Sequence, residues 1–452
     1  MREDLRRLFE QKTITASEAA ERISDGQIVY IGTCSSVAYG IARAIADRIK
    51  AGGLTNIGVG CSNIFKDIEL MKDPEHCHVA SSFMGPGERD AQKHGNYDFT
   101  SIHLSQIDIF YHKTFPTDIA FLEVSLPDND GNMSFGATGV AMDKYVLDTA
   151  KTVILQINRC APYVYGTDNL INIKDVEAVV YHDEELAAID NTEDTPQVQA
   201  IADYILEEIP DGACVQLGIG NVGNTVGYGL ERRNDLGAHT EMMTDSIMHL
   251  MKNGNITNER KSYMKGKTVA SFTLGSRELY EFIDHNDKMW YEPFPVVNSP
   301  INIAKNDNAV SVNGAIQIDL YGQVVADNIA GRQFSAVGGQ LDFVIGAQLS
   351  RGGKSFIAST STNTNKKGIR TSRIVSVLAP GTAVTTPRAE VQYVVTEYGC
   401  VNLKPLTMRE SFDQSGSSRL PRRTDRGCEK DRSHINSTES AVFLDRNDTL
   451  AG

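Results

Sequence analysis

A chain of 452 residues with 41% hydrophobic and 23% charged residues can bury a substantial core, and its length suits two domains. Acidic side chains outnumber basic ones 58 to 44, giving a net charge of -14 with no Lys/Arg stripe through the main body, which argues against nucleic acid as a partner. No run of about 18 apolar residues occurs and the N-terminal MREDLRRLFEQKTITASEAAERI lacks an apolar signal core, so no membrane partner is expected and the expected setting is the cytoplasm.

In chain order, a helix over Ala16 to Ile23 leads through an Asp25-Gly26 turn into an alternating apolar strand, Ile28 to Ile31, then a loop, an amphipathic helix and a second short strand. The same series recurs in the second half: a helix over Val198 to Ile209, the turn Asp211-Gly212, the strand Cys214 to Leu217, a loop and a helix. In this alignment Asp25 answers Asp211, Gly32 answers Gly218 and Leu54 answers Leu236. Further on, the strand Asp118 to Ser125 with its turn Asp128-Asn-Asp-Gly131 answers Ala309-Val-Ser-Val with Asp319-Leu-Tyr-Gly322. Two related α/β halves with mainly parallel sheets covered on both faces follow from this alternation. The first half is placed at 1–185, the acidic stretch 186–197 is read as a linker, and the second half at 198–410, with strands expected over Ile374 to Leu378 and Val391 to Val395. Residues 411–452 are polar, Arg/Asp/Ser-rich and without periodicity, so this tail is expected to be disordered.

The seven cysteines are scattered and never form Cys-x-x-Cys, which suggests neither a disulfide framework nor a zinc ribbon. His76-Cys77-His78 alternates along a strand without further ligands nearby, so no metal site is expected.

Two features carry chemistry. Gly218-Ile219-Gly220-Asn221-Val222-Gly223 follows a strand and opens a helix, as a loop cradling a phosphate-bearing ligand would; a tight turn with no ligand is the plainer explanation for such a motif in isolation. The first half keeps the turn at Gly32-Thr-Cys-Ser-Ser but not the glycine spacing, which leaves only the second half equipped for a ligand. Glu241 is the second feature, a lone carboxylate inside LGAHTEMMTDS whose counterpart near Val59 is apolar. It is either a strand-end acid near a helix N-terminus or a catalytic group, and a nicotinamide-dependent oxidoreductase would also place an acid at this distance from the loop. His239, two residues earlier, reads as a hydrogen-bonded histidine rather than a base. Lys366, Lys367 and Arg388 are the cations most usable for phosphates.

LGIGNV at 217 to 222, GAHTEMMTDS at 237 to 246, VGGQLDFVIGA at 337 to 347, SRIVSVLAPGTAVTTPR at 372 to 388 and VVTEYGCVNL at 394 to 403, with VSLPDNDGNMSFG at 124 to 136, together resemble the acetyl-CoA hydrolase/transferase family over nearly all of residues 5 to 410. The resemblance implies two CoA-transferase-type α/β domains with the active site at their interface. It further implies Glu241 as covalent nucleophile, Gly218, Ile219, Gly220, Asn221 and Val222 against coenzyme A, and Gly339, Thr360 and Arg388 completing that site. The activity implied is CoA transfer between a short-chain acyl-CoA and a carboxylate such as acetate, of the butyryl-CoA:acetate or 4-hydroxybutyrate type, through a glutamyl-CoA thioester, with acyl-CoA hydrolysis through the same intermediate as the alternative. Coenzyme A enters as substrate rather than as a resident cofactor, and a homo-oligomer is expected. The loop Thr33-Cys-Ser-Ser departs from the family pattern, so the acyl group is left open.

Overall fold

The computed structural model describes residues 2–189, 195–404 and 406–407; the expected polar tail lies outside them, as do residues 190–194 of the assigned linker. Among the described residues the chain forms two main sheets. The first runs Ala178–Tyr181, Thr152–Ile157, Ile119–Val124, Ile28–Thr33, Ile57–Ser62, Cys77–Ser81, Tyr97–Phe99, all parallel, with a short antiparallel strand, Ser36–Val37, folded back on Ile28–Thr33. The second runs Gly237–Ala238, Cys214–Leu217, Ala309–Gly314, Lys354–Ala358, Tyr393–Thr396, Gly399–Asn402, parallel until the last pair. Strands buried on both faces need near-continuous apolar runs, and Ile119–Val124 is buried at all six positions.

The internal repeat is written into the hydrogen bonds. Asp25 Oδ1 accepts the Thr55 N–H at 2.7 Å and Asp211 Oδ1 accepts the Asn234 N–H at 2.8 Å, each tying the turn before its strand to the end of the following helix. Asp128 accepts both the backbone N–H and the Nδ2 of Asn132, at 2.9 and 3.0 Å, and Asp319 holds Gln323 in the same way at 2.8 and 2.6 Å. An Asp side chain closing a tight turn onto its own backbone explains why each copy kept that residue.

The halves share their cores. Met242, Phe272, Leu274 and Phe294 from the second half pack into the main cluster of the first, and Ala137 and Val164 pack the other way. Burying each large apolar side chain is worth about 1.5 to 3 kcal/mol, so this junction holds the two sheets in one arrangement.

Two boundaries differ from the sequence expectation. The helix Pro196–Glu207 starts inside the assigned linker, because Thr195 accepts the Val198 N–H as an N-cap and Pro196 occupies the first helical turn. The strand expected over Ile374 to Leu378 is only Ile374–Val375 and pairs with Gln317–Asp319 outside the main sheet, since Pro380-Gly381 turns the chain away. No helix among the described residues is long and apolar enough to cross a membrane.

Candidate active site

Glu241 stands where the chain leaves the second sheet. Gly237–Ala238 pairs with Cys214–Leu217, whereas Met242–Met243 pairs with Phe272–Thr273, so residues 239 to 241 form a step between two strand pairings. The step is stitched along its length: Thr240 N–H donates to Val269, and the Glu241 carbonyl accepts from the N–H groups of Ser271 and Phe272 at 3.0 and 3.2 Å. With its backbone fixed from one side, the carboxylate is presented to the other.

There Asn298 Nδ2 donates to Glu241 Oε2 at 2.7 Å, and the Gly339 N–H also donates to the carboxylate. Gly339 precedes the helix Gln340–Leu349 and lies so close that a Cβ at that position would fall 2.0 Å from both Oε2 and Asn298 Nδ2. Burial pushes the Glu241 carboxyl up to about 7; the Asn298 bond opposes this, the nearby Asp342 charge adds to it, and the Gly339 bond opposes it. Asn298 is placed by its neighbour: the buried His239 bonds the Val297 carbonyl through Nε2 at 2.9 Å, and burial lowers His239 to about 3, so the ring is neutral and donates. His239 is thus a hydrogen-bonded core histidine that steadies the segment carrying Asn298.

The first half completes the site. Leu104 N–H donates to the Gly338 carbonyl at 3.3 Å, and Ser105 donates through its N–H and hydroxyl to the buried Asp342 at 3.1 and 2.7 Å, docking one loop on the Gly338-Gly339 turn. Phe83 enters the same cleft. The first-half loop equivalent to the glycine loop is sealed: Gly32 pairs with Val37, and Ser35 Oγ donates to the Thr273 carbonyl at 2.8 Å.

Two cavities meet over the glycine loop. One, of about 300 Å³, is walled by Glu241, Met242, Phe83, Gly218, Ile219 and Gly339. The other, of about 270 Å³, is walled by Gly218, Ile219, Gly220, Asn221, Val222 and Thr360. Gly218 and Ile219 therefore border both. Gly220, at φ 113°, adopts a conformation open to glycine, which turns the strand Cys214–Leu217 into the helix Asn221–Gly229 so that the helix N-terminus faces the second cavity. Arg388 lies apart, exposed and lining neither. The second cavity instead carries Arg373, which with Asn298, Asp342 and Phe83 was not singled out from the sequence; Arg373 stands within the quoted SRIV motif, while the other three reach Glu241 only through folding.

The fold thus sets a carboxylate at the wall of one cavity and a glycine loop between that cavity and a second one. Comparison with known proteins identifies the family. The acetyl-CoA hydrolase/transferase N-terminal domain matches residues 1–190 and the C-terminal domain of the same family matches residues 275–414. A succinyl-CoA:cyclohexane-1-carboxylate CoA transferase of Geobacter metallireducens is 36% identical over 407 residues, 89% of this chain and 91% of its own length. The 4-hydroxybutyrate coenzyme A transferase of Clostridium kluyveri is 35% identical over 407 residues, 89% of this chain and 93% of its own. The crystal structure of a 4-hydroxybutyrate CoA-transferase from Porphyromonas gingivalis matches with a TM-score of 0.75 at 30% identity, covering 90% of this chain and 94% of that one. The fold is that of the CoA-transferases, and the chain belongs to the acetyl-CoA hydrolase/transferase family.

Proposed function

We propose that this chain is an acyl-CoA:carboxylate CoA-transferase that moves CoA between a short-chain acyl-CoA and a carboxylate such as acetate, with Glu241 as the covalent nucleophile. The observation that carries the proposal is the geometry of that carboxylate: Oε2 is held by Asn298 and lies against Gly339, leaving Oε1 to attack beside the glycine loop. Oε1 adds to the thioester carbon and CoA leaves as thiolate, giving an acyl-glutamyl anhydride. The thiolate then adds to the glutamyl carbon, the carboxylate of the acyl group leaves, and a glutamyl-CoA thioester remains. The incoming carboxylate reverses both steps, so the thioester bond is conserved and no other energy source enters.

Oε2 is the glutamyl carbonyl oxygen in these intermediates. The donor that holds it at rest, Asn298 Nδ2, therefore faces the oxyanion that forms on it when thiolate attacks, already oriented, and the Gly339 N–H lies at the same carboxylate.

Parallel double-reciprocal lines with butyryl-CoA and acetate, and formation of acetyl-CoA, test the reading. Release of free CoA at an equal rate without acetate would instead show hydrolysis. Only the ionised carboxylate attacks, and its folded-state value is raised to about 7. The acyl-CoA half-reaction should therefore fall about tenfold per pH unit below that value and level off above it, read as kcat/KM across pH 5 to 9.

The cavity at Glu241 also restricts the acyl group. Among the described residues Glu241 is the only charged side chain lining it, and the first-half Cys34 nearby stays a neutral thiol, pushed up to about 12 chiefly by burial. A second carboxylate on the acyl chain would meet no cation there. Butyryl-CoA should exceed succinyl-CoA in kcat/KM by about tenfold or more, and equal values would contradict this account of the wall.

A further inference from the structure

Glu241 belongs to the second half, yet both donors at its carboxylate rest on one turn of the first. The turn Leu104–Gln106 packs on the helix Phe294–Val297, and Asn298 is the residue that ends this helix. The same turn grips the segment carrying the other donor on either side. Leu104 donates to the Gly338 carbonyl at 3.3 Å, just before Gly339, and Ser105 donates to Asp342 just after it, at 3.1 Å through its N–H and 2.7 Å through its hydroxyl. Gly339 thus sits between two anchors that reach into the first half.

Asp342 is buried in the first turn of the helix Gln340–Leu349, an end at which negative charge is favoured. Burial raises its carboxyl above the ordinary range, and the two Ser105 bonds with the nearby His103 oppose this, so the bonds that fix the turn also favour the ionised form. The groups that face Glu241 are Asn298, the Gly339 N–H and Asp342, with the neutral Cys34 thiol from the first half; of these, Asp342 is the acid. A reacting group misplaced by about 1 Å can cost about 10²-fold in rate, so the anchoring of this turn bears on the chemistry as well as on the fold.

We propose that Ser105 and Asp342 are positioning residues for the reaction at Glu241: Ser105 clamps Asp342, the clamp keeps the Gly339 N–H at the carboxylate, and the Asp342 charge acts on Glu241 beside it. The assignment rests on the CoA-transferase reading for its reaction. It makes the reactivity of a nucleophile in one half depend on a loop of the other.

Ser105→Ala removes the hydroxyl bond and should lower kcat with butyryl-CoA and acetate about tenfold at pH 8, while KM changes no more than about twofold; Ser105→Thr keeps a hydroxyl and should restore kcat to within about threefold of wild type. Asp342→Asn keeps the size of the side chain and removes its charge. The midpoint of the acid limb should therefore fall below about 7, and kcat/KM at pH 5.5 relative to pH 8.5 should rise about threefold or more over the wild-type ratio. Loss of packing alone would produce neither the change in ratio nor the rescue. Melting temperatures read the same charge without turnover. Glu241 costs wild type stability as pH rises towards 7, so the gain from Glu241→Gln at pH 8 should be smaller in the Asp342→Asn background. A Ser105→Ala enzyme with kcat within twofold of wild type, or an unshifted midpoint and an undiminished melting gain in Asp342→Asn, would overturn the proposal. Protein whose melting gain shrinks as expected but which moves no CoA between butyryl-CoA and acetate would overturn the transferase reading and leave the action of Asp342 on Glu241 standing.

Discussion

Replacing Glu241 by Gln should lower turnover of butyryl-CoA by about 10³-fold or more, because an amide cannot form the anhydride through which CoA exchange is proposed to run. The substitution keeps the size of the side chain, and its Oε can still accept from Asn298 Nδ2, the contact now made at 2.7 Å. Structure and substrate binding should therefore survive. A stability measurement separates chemistry from misfolding. The folded carboxyl at about 7 lies above its ordinary value of 4.5, so the native state holds its proton more tightly than the unfolded chain does. That linkage makes wild type lose stability as pH rises from about 4.5 to about 7. The amide carries no such charge, so Glu241→Gln should melt at or above the wild-type temperature at pH 8 while being nearly inert. Borohydride reduction after incubation with butyryl-CoA should convert Glu241 to the alcohol in wild type and leave the variant peptide unmodified. Modification of a different residue, or an active variant, would remove Glu241 from the nucleophile's role.

The α/β plan was legible because its signals are local. Asp25, Asp211, Asp128 and Asp319 each bond to backbone at a fixed short distance along the chain or at the end of the adjoining helix, so the repeat survives as a pattern of letters. Glu241 stood out for a related reason, as an unrepeated carboxylate in a run that is otherwise buried. What the sequence concealed depends on contacts between distant segments. Asn298 lies 57 residues from the carboxylate it bonds, in a stretch without any motif, and the Asp342 that raises the Glu241 carboxyl is held by Ser105 from 237 residues away. Arg373 and Arg388 share one motif and one charge. Only the fold distinguishes them, because the chain turns at Pro380-Gly381 and carries Arg388 out to the surface while Arg373 remains on the cavity wall. The lone short strand Ile374–Val375 has the same origin: apolar letters predict extension, but not which sheet the strand will join.

Gly339→Ala should be the second severe lesion, with a smaller fold cost than its kinetic cost. The backbone at Gly339 has φ -98° and ψ 9°, a conformation that alanine adopts without strain, so any effect comes from the added methyl group. That methyl would lie 2.0 Å from Glu241 Oε2 and from Asn298 Nδ2, and neither atom can yield cheaply: Asn298 is fully buried and its amide is committed to the carboxylate. Overpacking of this kind costs about 1 to 3 kcal/mol of stability, a modest shift in melting temperature for a chain of this size. The kinetic loss should be about 10²- to 10³-fold in kcat, the scale for losing a single oxyanion donor, because the displaced carboxylate surrenders its Gly339 N–H contact in both the resting state and the tetrahedral intermediates. The pH profile supplies a readout that loss of packing alone would not move. The Gly339 N–H stabilises the ionised form of Glu241, so its loss should carry the kinetic midpoint upward from about 7. The KM for butyryl-CoA should change far less than kcat, since the glycine loop proposed to receive the rest of the ligand is untouched. A Gly339→Ala enzyme with wild-type kcat and an unshifted midpoint would show that this backbone N–H plays no part in holding the charge on Glu241.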